Sequence, residues 1–329
     1  MDPLLRALLT SWDLRPEILI TLLTLGGLFT LGWWRLRQRS RQNRLAAPWR
    51  LAAYWSGLII LAVALMSGID ILSGQLFYMH MIQHLLLVMI VPPLLLLTNP
   101  FPFLLWGLPV ALRYRVGGLF VGDSPVRHGL KYITRPAIVW VAFVGLLVIW
   151  HDPGLYGLAL TSDTAHDLEH LSFFIPGMLF WWHVIGAGPK LHGTLSPVLR
   201  IAYVLLAVPP NFLLGAVIGF STTVIYTYYE SVPRFYGIST LADQQLAGFI
   251  MWVPGSMMYI IAALILVARL LQKEDDIAPL NQPAEWDTDE AMIAPGLEHR
   301  ATQARWRQIE AQKAKVRRMN ASLDSKEAL

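Results

Sequence analysis

The chain contains no cysteine and few charged residues, and each absence restricts what the protein can be. Without cysteine it forms no disulfide, holds no iron–sulfur cluster and offers neither a thiolate ligand nor a thiol nucleophile. Charged residues make up 15% of its 329 residues, against about 25% in an average soluble domain. Apolar residues make up 55%. These proportions are typical of a membrane protein rather than of two soluble domains.

Motifs of the common soluble enzymes are missing as well. The sequence has no Walker phosphate loop, no Gly-x-Gly-x-x-Gly fingerprint and no Gly-x-Ser-x-Gly nucleophile elbow. The formal net charge is only +4, which is no footprint for nucleic-acid binding. We therefore predict a protein that is not an enzyme and has no nucleic-acid partner.

Long apolar segments predict the architecture. A helix needs about 20 apolar residues to cross the hydrocarbon core of a bilayer. Seven segments approach or reach this length, at residues 17–34, 49–71, 74–98, 136–150, 166–187, 197–220 and 244–271. The predicted fold class is all-α, a polytopic membrane bundle of about seven transmembrane helices.

The basic residues predict the orientation of that bundle. Three residues lie in the segments on one side, Arg6, Arg15 and Arg234, whereas thirteen lie in the loops on the other side: Arg35, Arg37, Arg39, Arg41, Arg44, Arg50, Arg113, Arg115, Arg127, Lys131, Arg135, Lys190 and Arg200. Because Lys and Arg concentrate on the cytoplasmic side of membrane proteins, this asymmetry predicts an outer N-terminus and a cytoplasmic C-terminus.

Three regions follow from this pattern. Residues 1–48 hold the first span and a basic cytoplasmic loop, and residues 49–271 hold a core of six spans. Residues 272–329 form a charged cytoplasmic tail. Its acidic, proline-containing part at 274–298 is predicted to be a linker, and the part at 299–319 is predicted to be an exposed helix.

Histidines gather at one membrane level in this topology. Two pairs have i, i+4 spacing, which places both members of a pair on one face of a helix. A lone imidazole in hydrocarbon leaves a polar group unpaired, so two facing pairs indicate a metal or haem site. His151 by itself is more typical of a hydrogen-bonded packing residue. The five histidines placed toward the outer face are His80, His84, His151, His166 and His170.

The residues around the two pairs indicate the kind of ligand. Met81 lies three positions before His84, and imidazole with thioether in the absence of thiol suits copper. Asp163, Asp167 and Glu169 surround the second pair, where carboxylates can orient imidazoles or capture a cation at the rim. Haem is the alternative cofactor, with one axial histidine from each pair.

Four short motifs, in order, resemble a known family. They are HMIQH at 80–84 with PP at 92–93 and NP at 99–100, WHDPGLY at 150–156, HDLEH at 166–170 running into FWW at 180–182, and DQQLAGFIMWVPG at 243–255. Together they are similar to CtaG-type cytochrome c oxidase assembly proteins, the family named for the caa-type oxidase. The resemblance covers about residues 50–270 and leaves out the first span and the tail.

The resemblance implies a multi-pass protein of the bacterial plasma membrane that helps to build a haem–copper oxidase through copper. Its partners would be oxidase subunits and the lipid bilayer, with the copper donor left open. The matched residues are His80, His84, His166 and His170, with Asp243 and Gln244 as a polar pair on the last span. The predicted metal ligands are then His80, His84, His166, His170 and Met81, supported by His151, Glu169, Asp243 and Gln244.

Three other functions stay open at this stage. The first is a haem-binding electron-transfer protein of the membrane. The second is a copper transporter, with soft and polar residues along a path through the midplane. Its candidate residues are Met89, Met178, Met257, Met258 and Asn211. The third is a scaffold that supports the oxidase without binding metal.

Overall fold

The computed structural model describes residues 3–39, 46–120, 124–233 and 237–275, and within them every regular element is helical. In chain order the helices are α1 (Pro3–Thr10), α2 (Pro16–Arg39), α3 (Pro48–Met66), α4 (Gly68–Ser73), α5 (Phe77–Leu85), α6 (Val91–Leu97), α7 (Pro100–Gly107), α8 (Val110–Leu119), α9 (Pro125–Ile133), α10 (Pro136–Trp150), α11 (Pro153–Thr161), α12 (Asp163–Ile185), α13 (Pro197–Leu205), α14 (Val208–Gly219), α15 (Tyr228–Ser231) and α16 (Thr240–Asp275). A π-helical turn, Leu86–Ile90, joins α5 to α6. The predicted linker and helix of the tail lie outside the described residues, apart from Glu274 and Asp275, which end α16. Arg41, Arg44 and Arg234 lie outside the described residues as well.

The predicted all-α membrane bundle is confirmed, although fewer helices qualify as spans. Five stretches within the described ranges are long and apolar enough to cross a bilayer: Pro16–Arg39, Pro48–Met66, Phe77–Leu97, Pro197–Gly219 and Thr240–Gln272. The bent pair α9 and α10, which meet at 53°, makes a sixth if it is counted as one span. Helix α12 has 23 residues, which is length enough, but its first turns carry three carboxylates and two histidines. The orientation of the termini stays a prediction.

Local sequence signals explain where the helices begin. Proline occupies the first turn of most of them, where its missing N–H has no partner to lose. Asp152 caps α11 by accepting hydrogen bonds from the backbone N–H groups of Gly154 and Leu155 at 3.0 and 3.2 Å. Ser162 caps α12 through Ala165 in the same way. The caps fix the starts of the helices that surround the site.

Proline also breaks the longer helices. The predicted third span is α5, the π-helical turn and α6 in sequence, with Pro92 and Pro93 just beyond the turn. Pro176 lies inside α12 and Pro254 inside α16. Because proline removes an i→i−4 hydrogen bond, each break re-aims the helix that follows it. The π-helical turn begins two residues after His84, and such turns are frequent at functional sites.

Close helix contacts depend on glycine. A Cβ added at Gly32 of α2 would collide with the backbone carbonyl of Phe103 in α7, and one at Gly107 would collide with that of Leu28. A Cβ at Gly248 of α16 would collide with the backbone of Gly219 at the end of α14. Small residues let membrane helices approach backbone to backbone. The first long helix therefore packs into the bundle instead of standing apart from it.

Candidate metal centre

Helices α5 and α12 bring the four predicted histidine ligands together. The start of α5 is held by Asp243 of α16, whose carboxylate accepts hydrogen bonds from the N–H groups of Phe77 and Tyr78 at 3.1 and 3.0 Å. A carboxylate at a helix N-terminus satisfies free N–H groups and complements the helix dipole. This contact fixes the helix on which His80 and His84 stand.

Two histidine pairs meet in the interior. The ring centroids of His80 and His84 are 4.3 Å apart, and those of His166 and His170 are 4.2 Å apart. Across the interface His80 lies 5.2 Å from His166, and His84 lies 5.5 Å from His170. Three of the rings are buried and His166 is half-buried. We refer to these four residues with Glu169 as the histidine centre.

Glu169 lies in the middle of this cluster, not at its edge. Its side chain is 0% exposed, and its two oxygens lie 3.5 Å from His80 Nε2 and 3.7 Å from His84 Nε2. Neither oxygen receives a hydrogen bond from the described part of the chain. These separations are too long for hydrogen bonds and leave space between the groups. Glu169, which the sequence predicted to support the ligands, thus has the geometry of a ligand itself.

The nitrogens that face this space have no partners of their own. The Nε2 atoms of His80, His84, His166 and His170 are all buried without a hydrogen bond among the residues described. A buried polar atom left in this condition costs about 1–3 kcal/mol. Three ligand sets have donor atoms within 4.8 Å of one another: His80–His84–His170, His80–His166–Glu169 and Asp70–His166–His170. One cation in this space can satisfy several of these donors.

A chain of hydrogen bonds sets the tautomer of His80. Tyr229 donates its hydroxyl proton to the backbone carbonyl of Ser73 at 2.9 Å, so it accepts from the Tyr156 hydroxyl, also at 2.9 Å. Tyr156 must then accept from His80 Nδ1 at 2.7 Å. With its proton on Nδ1, His80 presents the lone pair of Nε2 to Glu169. Hydrogen bonds of this kind orient ligating imidazoles and raise their basicity.

Asp70 is a member of the site that the sequence analysis missed. It lies on α4, with a carboxylate oxygen near His166 and His170. Gln83, between the first two histidines, donates from Nε2 to Asp70 at 2.6 Å and to the Ala64 carbonyl at 2.8 Å. Asp70 is the one acidic residue of the predicted span 49–71. An ionisable residue inside a span is itself a functional signal, and it was available from the sequence.

The remaining predicted residues are placed around the centre. Gln244 accepts hydrogen bonds from the N–H groups of Ile225 and Tyr226, so, like Asp243, it binds the backbone. His151 donates from Nδ1 to the Leu147 carbonyl at 2.7 Å. Met81 is buried and lines a cavity that also contacts His84 and His151. Their roles toward a metal stay predictions.

A groove between α2, α3 and α12 reaches the centre from outside. It has a volume of about 310 Å³, and His170 is part of its lining. At its edge Arg15 forms a two-pronged ion pair with Asp167, both N–O distances being 2.7 Å. This bond, reinforced by Glu17, raises the pKa of the Arg15 guanidinium. Arg15, in the segment between α1 and α2, thus lies at the edge of a groove that leads to the histidines.

The fold and the site together define a class: a multi-pass helical membrane protein with a buried centre of imidazoles and carboxylates. Residues 27–273 match the family described as cytochrome c oxidase caa3 assembly factor, and the chain belongs to that family. The resemblance inferred from the four motifs is confirmed. The match begins inside α2, earlier than the motifs indicated, which agrees with the packing of α2 into the bundle.

The family and the candidate spans fit a multi-pass protein of the plasma membrane. Relatives include an uncharacterized protein of Mycobacterium bovis and one of Mycobacterium tuberculosis, each 27% identical over 84% of this chain and 42% of their own length. An uncharacterized protein of Mycobacterium leprae is 25% identical over 82% of the chain and 41% of its own length. The chain therefore spans about two fifths of these relatives. No solved structure matches it.

Proposed function

We propose that the protein binds copper at the histidine centre and supports its insertion into a haem–copper oxidase. The observation that carries the proposal is the set of buried, unpartnered donor atoms on two facing helices, found among the described residues and built around Glu169. The donors are imidazole nitrogens and carboxylate oxygens, without thiolate. Such a set binds divalent copper more tightly than other divalent first-row ions. Copper is then cargo, held until an oxidase subunit receives it.

The spacing of the rings favours an ion over haem. A bis-histidine haem needs a porphyrin plane between its two axial imidazoles. In the histidine centre the ring centroids of facing residues are 5.2 to 6.1 Å apart, with Glu169 among them. Glu169 and the second imidazole of each pair occupy the space beside the facing rings, where a macrocycle would lie, whereas a single ion fits among the donors.

The groove beside α12 is the proposed route by which copper enters and leaves. Its lining includes His170, which belongs to two of the three possible ligand sets. Exchange through it exposes the ion at one face of the bundle, where a membrane-embedded oxidase subunit can dock. A transporter would require a continuous path through the bundle, so copper uptake by sealed vesicles containing the purified protein separates transport from delivery.

Assembly in cells tests the proposal. A strain lacking the protein would be complemented with the wild type, with His170→Ala, or with His192→Ala as the matched control. We expect His170→Ala to leave the membranes deficient in oxidase activity and in oxidase-bound copper, at equal protein level. His192→Ala should restore both, because its ring lies elsewhere and bonds to Thr134.

Two results would contradict the proposal. Normal oxidase copper and activity with His170→Ala would mean that the protein acts as a scaffold. A Soret band in the purified protein, present in the wild type and lost in His170→Ala, would assign the centre to haem.

A further inference from the structure

A second cavity lies beside the histidine centre. It has a volume of about 50 Å³, room for a few water molecules. His84 belongs to the histidine centre and also lines this cavity, so one residue joins the two spaces. The phenyl ring of Phe173 contacts both imidazoles of the lining, with its centroid 4.7 Å from that of His84 and 6.4 Å from that of His151.

His151 contributes an unpartnered donor to this cavity. Its Nδ1–H is used by the Leu147 carbonyl, so Nε2 carries the free lone pair. That atom is buried without a hydrogen bond to any of the described residues, on a side chain that is only 6% exposed. A helix-packing histidine would use both nitrogens in hydrogen bonds. The imidazole is instead fixed in the tautomer that a metal requires.

Three methionines from three elements also line the cavity. Met81 comes from α5, Met89 from the π-helical turn and Met251 from α16, and all three side chains are buried. Thioethers are soft ligands that select monovalent copper, whereas the carboxylates and imidazoles of the histidine centre are harder. Any one of these methionines would be ordinary packing; three on one small cavity with an unpartnered imidazole are not explained that way.

We propose that this cavity is a second copper station, which holds Cu⁺ through His151 and thioethers drawn from the three methionines of its lining, Met81, Met89 and Met251. The proposal deepens the proposed function, because His84 makes the two stations neighbours along one path for the ion. Because imidazole is a ligand for copper in either oxidation state, the histidine centre can also hold Cu⁺, and the ion passes between the two stations as Cu⁺. Only ligands are then exchanged, and no electron is transferred. Met81, predicted as a soft ligand of the histidine centre, is assigned to the second station.

Silver provides the test, because Ag⁺ is a soft monovalent ion without redox chemistry. The purified wild-type protein in detergent should bind about two Ag⁺ with thioether or imidazole ligands. The triple variant Met81→Leu/Met89→Leu/Met251→Leu should bind about one, and the volume-conserving replacements should preserve the fold. Met79→Leu is the control, since Met79 is equally buried but packs against Leu72 and Leu76, away from the cavity.

The outcomes separate this inference from the proposed function. The variant His80→Ala/His170→Ala should lose the ion of the histidine centre and keep the one in the cavity. If the triple methionine variant binds as many Ag⁺ as the wild type, the second station is wrong. If the methionine variant loses an ion while the histidine variant loses none, the cavity binds metal and the histidine centre does not. X-ray absorption of the Cu⁺-loaded protein should show Cu–S scattering that disappears in the methionine variant.

Discussion

Helix α12 carries histidines near both of its ends, and the two groups differ in how their nitrogens are bonded. At the first end His166 and His170 join the histidine centre, where their Nε2 atoms have no partner among the described residues. At the other end His183 Nε2 contacts the Thr134 carbonyl at 2.8 Å, and His192 Nε2 contacts the Thr134 hydroxyl at 2.9 Å. The ring centroids of His183 and His192 are 5.7 Å apart, a spacing like that in the centre.

The difference shows that clustering alone does not define a metal site. Both groups are partly buried and both are rich in imidazole. Within the described part of the chain, only the first contains a carboxylate and buried imidazole nitrogens without hydrogen-bond partners. Buried polar groups that form hydrogen bonds stabilise packing, whereas buried polar groups without such bonds are available to bind a ligand. We therefore expect substitutions at the first group to change metal binding and substitutions at the second to change stability.

The largest expected effect comes from His170→Ala. Residues that merely support a metal ligand are worth about 10–100-fold in affinity, so removing a ligand should weaken copper binding by more than about 100-fold. His183→Ala is the matched control at the other end of α12, and copper affinity should be unchanged. Competition with a chromogenic chelator measures both. Equal losses in the two variants would mean that the comparison between the groups is wrong.

Glu169→Gln should have the next largest effect. The substitution keeps the shape of the side chain but removes the charge that lies between His80 and His84, so copper affinity should fall by about 10–100-fold. Glu17→Gln provides a control, because that carboxylate is exposed and pairs with Arg15. An unchanged affinity with Glu169→Gln would show that the buried carboxylate serves the fold alone.

Tyr156→Phe should weaken copper binding by about 10-fold. It removes the acceptor that holds the proton on His80 Nδ1, so the ring loses its fixed orientation and tautomer. Tyr203→Phe is the control, since its hydroxyl donates to the Pro136 carbonyl near the other histidine group. Chelator competition again gives the affinity, and equal effects of the two variants would dismiss the hydrogen-bond chain as a tuning device.

Thr134→Val tests the second histidine group and should affect stability only. It removes the hydroxyl that contacts His192, so we expect a loss of about 1–2 kcal/mol in the free energy of unfolding and no change in copper affinity. Denaturant unfolding in detergent, followed by tryptophan fluorescence, measures the first quantity. A lower copper affinity in this variant would show that the two histidine groups are coupled and would contradict the distinction between them.

The smallest expected effect is kinetic. Arg15→Gln removes a positive charge from the edge of the groove and leaves Asp167 to attract cations, so copper should associate a few-fold faster at low salt. The equilibrium affinity should change little, because Arg15 is absent from the three ligand sets. Stopped-flow loading gives the rate. An unchanged rate would mean that copper reaches His170 by another route.

The sequence predicted much of the fold and part of the site. Apolar length predicted the helices, and the i, i+4 spacing predicted that each histidine pair shares a face, which the structure bears out in ring contacts within each pair. Spacing along one helix cannot tell which side chain of another helix lies opposite. The central place of Glu169, the approach of Asp70 and the position of Met81 on a separate cavity depend on that packing. So does the bonding of His183 and His192 to Thr134.

The most direct test of the central claim is a titration of the purified protein with Cu²⁺, followed by electron paramagnetic resonance. Cu²⁺ favours the imidazoles and carboxylates of the histidine centre over thioethers. The account predicts about one tightly bound Cu²⁺ with a nitrogen-dominated spectrum in the wild type, and neither the ion nor its spectrum in His80→Ala/His170→Ala. The same stoichiometry and spectrum in both proteins would contradict it.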